Sequence, residues 1–286
     1  MTRQELNEKL KRAVVNDPEN AIQAEYALRP ELAGTVYYDA PLLGIAAADD
    51  PLFAQMKEDP KIYGPNLRLP EEWLSGARSI ISFFMPFSEQ VRRGNTPNLR
   101  VPSGEWLHGR IEGQAFLEKI CGEIADWLRQ EGYQAVIPAV HPEFSVACDY
   151  SRLERGEPAY ASTWSERHAA YVAGLGTFSL SKHLITEKGL CGRFGSVITD
   201  APLEVTPRPY TDPYEYCTFC GACVPRCPAR AISVEKGKNI KVCAKYTKYL
   251  EGIYTPYFGC GKCQLDIPCE DRIPDRAQDR QRGERV

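Results

Sequence analysis

The sequence predicts a mixed α/β protein with one larger domain followed by a small cysteine-rich domain. Three observations support this prediction. The chain has 286 residues, which is enough for one large domain and one small domain. Segments with strand and helix patterns alternate through the first two hundred residues. Eight of the eleven cysteines lie after residue 216, in a region of different composition.

The composition is that of an ordinary soluble globular protein, with 43% hydrophobic and 26% charged residues. The formal net charge of −3 provides no general attraction to nucleic acid or to an anionic membrane. The N-terminus has no apolar core typical of a signal peptide, and the apolar run from Ala40 is far too short to span a membrane. We therefore expect a cytoplasmic protein whose cysteines bind metal instead of forming disulfides.

The first hundred residues contain two strand patterns. Residues 1–30 have a helical pattern, and residues 42–53 indicate a strand that runs into a polar turn. Residues 76–86 have a dense β-branched and aromatic centre that ends at a proline, which predicts a buried strand. Residues 87–107 contain two prolines and two glycines among polar residues, so we predict a long loop there.

The clearest helix is predicted over residues 113–133. Phe116, Ile120, Ile124 and Trp127 recur at helical spacing, and Gly132 ends the pattern. Cys121 lies on the apolar face, so we interpret its thiol as part of the core.

Thr163 and Glu166 have the spacing of a capping box, which predicts a short helix from Thr163 to Gly174. Gly174 and Gly176 follow this helix and do not connect a strand to a helix, so a dinucleotide-binding fingerprint is a poor explanation of them. Residues 194–200 then predict a strand, and the proline-rich residues 202–213 predict a linker.

Four cysteines follow the pattern C-x2-C-x2-C-x3-C-P, which is typical of bacterial ferredoxins. In that pattern three thiolates bind one [4Fe–4S] cluster and the fourth binds a second cluster. The second cysteine group supplies the missing ligands. We predict that the first cluster binds Cys217, Cys220, Cys223 and Cys269, and that the second binds Cys227, Cys243, Cys260 and Cys263.

Structural zinc is the alternative explanation of these cysteines. Zinc sites prefer paired C-x2-C knuckles that are separated by a longer loop, and three evenly spaced cysteines before Cys-Pro fit that arrangement poorly. Five residues separate Cys263 from Cys269, so Cys269 has the least regular spacing of the eight ligands. Cys121, Cys148 and Cys191 remain outside both groups.

A family resemblance covers roughly residues 35–270. The segments "LPEEWLSGARSIISFFMPFS" and "ERHAAYVAGLGTFSLSKHLITEKGLCGRFGSVITDAPLE", followed by the two cysteine groups, resemble the epoxyqueuosine reductases and the reductive dehalogenases. These are cobalamin-dependent iron–sulfur reductases. The most specific element of the resemblance is the order of the segments, since each short segment is weak evidence alone.

The resemblance implies a nitroreductase-like corrinoid-binding domain over residues 1–205, a ferredoxin-like domain with two clusters over 206–270, and a polar tail over 271–286. It implies base-off cobalamin beside the first cluster. By position, ten residues of one stretch would line the corrinoid pocket, mostly through backbone contacts: Gly174, Leu175, Gly176, Thr177, Phe178, Ser179, His183, Leu184, Ile185 and Thr186. Without the resemblance, the same stretch is explained as a turn and a buried strand.

The proton donor departs from the family pattern. Epoxyqueuosine reductases carry an aspartate in a D-[TS]-A-P segment, and Tyr160 occupies the corresponding position here. Because reductive dehalogenases use a tyrosine as the donor, we predict Tyr160 as the acid, with Arg193 as the cation that lowers its pKa. Asp149 and Asp200 are better explained as turn or strand-end residues.

We therefore predict a reductase that passes electrons through two [4Fe–4S] clusters to cobalamin, which reduces a small organic molecule. One alternative is an electron-transfer protein or corrinoid reductase that serves a partner corrinoid protein. Another is an enzyme like the tRNA epoxyqueuosine reductases, which commonly carry an extension that is absent here, so nucleic acid is not expected. The expected electron donor is a ferredoxin or flavodoxin, and neither the substrate nor the oligomeric state follows from the sequence.

Overall fold

A computed structural model describes residues 2–275 as a mixed α/β protein, as predicted. The helices are α1 (Arg3–Val15), α2 (Pro51–Glu58), α3 (Pro70–Trp73), α4 (Glu89–Gly94), α5 (Gly104–Gln130), α6 (Glu166–Val172) and α7 (Ile240–Tyr254). The strands are β1 (Leu42–Ala47), β2 (Ser79–Pro86), β3 (Ala135–Val136), β4 (Val146–Cys148), β5 (Tyr160–Ser162), β6 (Gly176–Phe178), β7 (Leu184–Thr186), β8 (Gly192–Thr199), β9 (Ile232–Ser233) and β10 (Gly237–Lys238). Of the predicted polar tail, residues 276–286 lie outside the described part.

The central sheet is antiparallel and has the order β1-β2-β8-β3. All eight residues of β2 are buried, which explains the continuous apolar pattern that predicted this strand. In the register, Leu42 pairs with Phe84 and Ile81 pairs with Val197. The strand predictions at 42–53, 76–86 and 194–200 are thus confirmed as β1, β2 and β8.

Helices cover both faces of this sheet. Side chains alternate along β2, so Ile81 and Phe83 pack with α1 and α5, whereas Ile80 packs with α6 and α2 on the opposite face. The helix predicted at 113–133 is confirmed as the second half of α5, and Cys121 lies in its core face. The result is a helix–sheet–helix arrangement with two hydrophobic cores.

Two predictions for the first third of the chain are partly wrong. The helical pattern of residues 1–30 forms only α1, which ends before Pro18 because a proline disfavours helical geometry at the preceding residue. The predicted loop at 87–107 contains α4 and the start of α5. Each helix has a serine N-cap: Ser88 accepts a hydrogen bond from the N–H of Val91, and Ser103 accepts one from that of Trp106.

The predicted capping box is also wrong. Helix α6 begins at Glu166 with Ser165 as its N-cap, and the hydroxyl of Thr163 instead accepts a hydrogen bond from the N–H of Ser145 at 3.0 Å. The carboxylate of Glu166 is therefore not used to cap the helix.

The cysteine-rich part contains β9, β10 and the unpredicted helix α7, and it is fastened to the α/β part by polar contacts. The guanidinium of Arg92 contacts Glu270 at 3.2 Å and Asp271 at 2.9 Å. The buried ammonium of Lys262 donates to the backbone oxygen of Asn95 at 2.7 Å. Within residues 2–275 no helix has the length and apolarity required to cross a membrane.

Candidate active site and cluster sites

One small cavity is lined by three cysteines of the first motif and one that is distant in sequence: Cys217, Cys220, Cys223 and Cys269. Phe219 and Gly221 have positive φ angles of 52° and 75°, which allow the chain to turn around the cavity between consecutive cysteines. The N–H of Leu180 donates to the Sγ atom of Cys217 at 3.4 Å. We call these four residues the first quartet.

The other four motif cysteines line a second, larger cavity: Cys227, Cys243, Cys260 and Cys263. We call them the second quartet. The N–H of Ala231 donates to the Sγ atom of Cys227 at 3.3 Å. Burial raises the pKa of Cys223 in the first quartet to about 12, and that of Cys260 here to about 11.

All eleven cysteines are free of disulfide bonds. Cys121 and Cys191 are buried, and Cys148 is exposed on β4. In the described residues 2–275, no three His, Cys, Asp or Glu side chains are arranged around a site for a single metal ion. The quartets surround cavities instead.

The larger cavity has a volume of about 410 Å³, which lies in the range of roughly 300–1,000 Å³ typical of small-molecule sites. Its apolar wall includes Phe87, Trp106 and Phe194, and the second quartet forms another part of the wall. The first quartet does not line it. The resemblance implied a cofactor beside the first cluster, whereas the structure places the second quartet at the large cavity.

Three arginines line this cavity from three different elements. Arg110 lies on α5, Arg167 on α6 and Arg193 on β8. Burial lowers the pKa of all three guanidinium groups, to about 9 for Arg110, and repulsion from Arg193 lowers the pKa of the other two further. The cavity therefore brings three cationic side chains together.

Glu166 lines the same cavity and was missed as a functional residue. Both of its carboxylate oxygens are inaccessible to solvent and have no hydrogen-bond partner among the described residues. Burial raises the pKa of this carboxyl group to about 7, although the nearby hydroxyl of Ser196 offsets part of the effect. A carboxyl group with this pKa can donate a proton at neutral pH.

The stretch predicted to bind a corrinoid is a β-hairpin, because β6 pairs with β7. Gly176 is required for the close pairing, since a Cβ atom there would lie 1.9 Å from the carbonyl oxygen of Ile185. Only His183 and Leu184 of the ten predicted residues line the large cavity, while Ser179 and Ile185 line the small one. This stretch thus contributes residues to the walls of both cavities.

The remaining residues of this stretch have structural contacts. The hydroxyl of Thr177 accepts a hydrogen bond from the N–H of Tyr216 at 2.9 Å, and the ring of Phe178 packs among other aromatic rings. Leu175 and Thr186 are buried, and Gly174 has a positive φ angle just after α6. Burial holds the pKa of His183 well below its usual value, so this imidazole is neutral.

The two predicted catalytic residues are not brought together in the cavity. Arg193 lines it, and its Nε atom donates to Gln114 at 2.6 Å. Tyr160 is an exposed residue of β5 that does not line the cavity, and its hydroxyl lies 3.0 Å from that of Tyr150. This hydrogen bond and partial burial raise the pKa of Tyr160, which makes it a weaker acid.

The two other candidate carboxylates have structural roles, as expected. Asp149 accepts a hydrogen bond from the N–H of Ser151 at a helical turn. Asp200 accepts one from the N–H of Gln134 at the end of β8.

Comparison with known proteins gives matches at three levels. A 4Fe-4S binding domain family matches residues 211–233. The epoxyqueuosine reductase of Listeria monocytogenes serovar 1/2a is 32% identical over 114 residues, which cover 36% of this chain and 29% of that protein. The matched segment is therefore less than a third of the curated relative's length.

Two groups of solved structures share the fold. A reductive dehalogenase associated with B12-dependent dehalogenation matches with a TM-score of 0.50 and 17% identity, over 85% of this chain and 31% of that chain. An epoxyqueuosine reductase bound to a tRNA-Tyr stem loop matches with a TM-score of 0.53 and 17% identity, over 96% of this chain and 69% of that chain.

These matches identify the chain first as a mixed α/β protein with a 4Fe-4S binding domain. The sequence similarity to an epoxyqueuosine reductase over part of the chain, and the fold shared with solved epoxyqueuosine reductases and reductive dehalogenases, agree with the resemblance described from the sequence.

Replacing Glu166 with Gln should change the dependence of stability on pH. The folded-state pKa of about 7 exceeds the ordinary value of 4.5, so the folded wild-type protein loses stability as the pH rises through this window. The cost reaches at most about 3 kcal/mol above pH 7. We expect Glu166→Gln to have a melting temperature several degrees above wild type at pH 8.5 but nearly equal to it at pH 4.5.

This prediction is checked by anaerobic thermal unfolding of cluster-loaded protein at both pH values. Glu118→Gln is the matched control, because Glu118 accepts a hydrogen bond from Gln114 and does not line the cavity. Equal differences in melting temperature at the two pH values would show that Glu166 is charged in the folded protein.

Proposed function

We propose that this protein is an iron–sulfur oxidoreductase that delivers electrons to a molecule bound in the 410 Å³ cavity. One observation carries the proposal: the eight motif cysteines divide into two quartets at two cavities, and one quartet forms part of the wall of the large cavity. An electron-transfer centre that borders a ligand-sized cavity is the arrangement that a reductase requires.

We propose one [4Fe–4S] cluster for each quartet, with the ligands predicted from the sequence. Two structural features support this division. The first quartet includes Cys269. The cysteine that precedes Cys269 in the sequence, Cys263, lines the other cavity and belongs to the second quartet. Cys223 also packs against the group that contains Cys227 and Cys263, so the two centres are adjacent. Electrons would pass from the first cluster to the second and then into the cavity.

We further propose that a corrinoid binds in the large cavity, within a nitroreductase-like domain over residues 1–205. The residues fit such a cofactor because, among the described residues, the carboxyl oxygens of Glu166 have no hydrogen-bond partner, and the three arginines that line the same cavity form no ion pair with a carboxylate. A corrinoid exceeds the enclosed volume, so only part of it would lie inside. Leu184, Trp106 and Phe194 would contact its apolar surface, and the bound cobalt would supply a strong one-electron reductant.

The residues of the chain have defined roles in this proposal. The apolar wall excludes water from the place where electrons arrive. The arginines stabilise negative charge, and Glu166 holds a proton at its carboxyl group. Glu166 replaces Tyr160 as the proposed proton donor, since Tyr160 lies outside the cavity.

The cavity also favours a reductase over an electron-transfer protein that only serves another protein's corrinoid. Such a carrier needs an exposed cluster and has no use for a cavity with a proton donor. A tRNA substrate is a further outcome to test, because the solved epoxyqueuosine reductase with a tRNA stem loop weakens our expectation that nucleic acid is not bound.

The ligand assignment predicts different iron contents for two matched double variants. Cys217→Ser with Cys269→Ser removes two ligands of one proposed cluster, so about four of about eight iron atoms should remain. Cys217→Ser with Cys227→Ser removes one ligand from each cluster, so both clusters should be impaired. Iron analysis and EPR of the reduced protein measure this, with Cys148→Ser as the control that keeps about eight.

The assignment would be overturned by the opposite pattern. If the pair Cys217 and Cys269 impaired both clusters while the pair Cys217 and Cys227 spared one, the quartets would have to be divided differently.

Anaerobic reconstitution with iron, sulfide and hydroxocobalamin tests the cofactor. We expect about one corrinoid per chain to remain after desalting, as measured by absorbance, together with about eight iron atoms. EPR of the reduced corrinoid would show whether its own base has left the cobalt. If the corrinoid is lost on desalting while the clusters stay intact, the cofactor proposal is wrong and the electron-transfer alternative is favoured.

The proposed electron donor is an acidic protein such as a ferredoxin or flavodoxin. Four exposed lysines lie on the cysteine-rich part itself: Lys236, Lys241, Lys245 and Lys248. The β9–β10 turn contains Lys236, and Val234 of the same turn lies 3.2 Å from the position of a Cβ atom on Gly221, inside the first cysteine loop. Positive charge is therefore next to the proposed entry cluster.

Reversing this charge should slow protein-mediated reduction. We expect Lys236→Glu with Lys245→Glu to reduce the rate of cluster reduction by flavodoxin about tenfold at low salt, and the deficit should shrink as salt rises. Stopped-flow absorbance measures the rate, and reduction by dithionite should be unchanged. Lys11→Glu, on helix α1 and outside the cysteine-rich part, is the control, and an equal effect of that variant would contradict a docking role for the lysines.

A further inference from the structure

The three cavity arginines, of which Arg110 and Arg193 are partly buried and Arg167 is exposed to solvent, lack the carboxylate partners that other partly buried arginines of this chain have. Arg110 stacks over the ring of Phe258 at 4.7 Å, and Arg167 donates to the backbone oxygen of Lys182. Arg193 donates to the amide of Gln114. Within residues 2–275 none of the three forms an ion pair with a carboxylate.

Other arginines of the same chain provide the comparison, because they do pair with carboxylates. Four arginines with largely buried side chains each contact a carboxylate: Arg92, Arg152, Arg208 and Arg226. Placing a guanidinium in a semi-buried environment without an opposite charge is unfavourable, and three together also repel one another. The fold therefore accepts an electrostatic cost at the cavity that it avoids elsewhere.

The nearby acids do not remove this cost. Glu118 forms no ion pair with Arg193: its charge acts on Arg193 from a distance, and Gln114 lies between them, with its amide donating to Glu118 at 2.8 Å. Glu166 lines the cavity, yet neither of its oxygens contacts a guanidinium. The positive charge is therefore available to a ligand in the cavity.

The hydrogen-bonding geometry of guanidinium groups indicates which chemical group of a ligand would bind there. Arginine forms paired hydrogen bonds with the oxygens of carboxylate and phosphate groups. Phe87, Trp106 and Phe194 provide an apolar surface in the same cavity, which suits an organic body attached to the anionic group.

We propose that Arg110, Arg167 and Arg193 form a binding site for the carboxylate or phosphate group of an organic anion that occupies the cavity. This inference rests on the proposed function, in which the cavity binds the molecule that is reduced. It adds the chemical class of that molecule. Anion binding itself requires no electron transfer, so the two proposals can fail separately.

The binding experiment uses the full chain with both clusters loaded and no corrinoid. Calorimetry at low salt would compare benzoate and phenyl phosphate with benzamide, which has the same ring without a charge. We expect at least one of the two anions to bind at least tenfold more tightly than benzamide, with affinity that falls as salt rises. Failure of both anions to bind better than benzamide would overturn the proposal.

Variants test the three arginines directly. Arg193→Gln and Arg167→Gln should each weaken anion binding at least tenfold and leave benzamide binding unchanged. Arg167 is solvent-accessible, so its replacement keeps the test valid if Arg193→Gln fails to fold, and iron content verifies folding. Arg93→Gln is the control, since Arg93 is an exposed arginine that pairs with Glu89. Unchanged anion affinity in folded Arg167→Gln and Arg193→Gln would contradict the site.

A second experiment, which compares the protein with and without bound corrinoid, distinguishes a substrate anion from the phosphate of a corrinoid. If corrinoid loading blocks the anion and the arginine variants lose the corrinoid, the site binds the cofactor's phosphate. If the loaded protein still binds the anion, the site binds the substrate. If the anion binds but the corrinoid is never retained, the corrinoid part of the proposed function fails while this site stands.

Discussion

Residues 260–271, near the end of the cysteine-rich part, pack back against the α/β part. The rest of the site depends on this packing. This segment must place two cysteines in the second quartet and Cys269 in the first. The N–H groups of Leu190 and Cys191 donate to the backbone oxygens of Cys269 and Glu270, which fixes the segment against the loop before β8. Arg92 then holds Glu270 and Asp271. Without this docking, neither quartet could close.

The same docking builds the large cavity. Gly261 lies so close to Trp106 that a Cβ atom would be 1.9 Å from the indole ring, so the second quartet is pressed against α5. Helix α5 also contributes Arg110, and the strand after the docked loop contributes Arg193. The proposed electron-transfer centre and the charged groups that face it are therefore parts of one packing arrangement.

The sequence predicted those features that depend on local spacing. The cysteine pattern predicted two groups of ligands, and each predicted group lines its own cavity. Strands β1, β2 and β8 were predictable because burial on both faces leaves a continuous apolar pattern. Helix α4 and the first turns of α5 were missed, because Pro97, Pro102 and the glycines obscured the serine caps at Ser88 and Ser103.

The cavity residues were missed for a different reason. Arg110 and Arg167 have no spacing that sets them apart from surface arginines, and their meeting depends on the packing of α5 and α6 against β8. Glu166 was assigned to a local capping box, which satisfied every sequence rule for its position. A sequence pattern cannot show that Ser165 occupies the N-cap position and that both carboxyl oxygens of Glu166 are left without a hydrogen-bond partner at the cavity.

The cavity combines two electrostatic requirements that normally conflict. Arginines close to a carboxylate lower its pKa and remove the proton that a donor needs. Here burial dominates the pKa of Glu166, and no guanidinium donates a hydrogen bond to its carboxyl group. The positive charge is instead shared among Arg110, Arg167 and Arg193, which act on one another. Glu166 holds the proton and the three arginines hold the positive charge. The cavity can therefore stabilise a bound anion while Glu166 keeps a proton that it can donate.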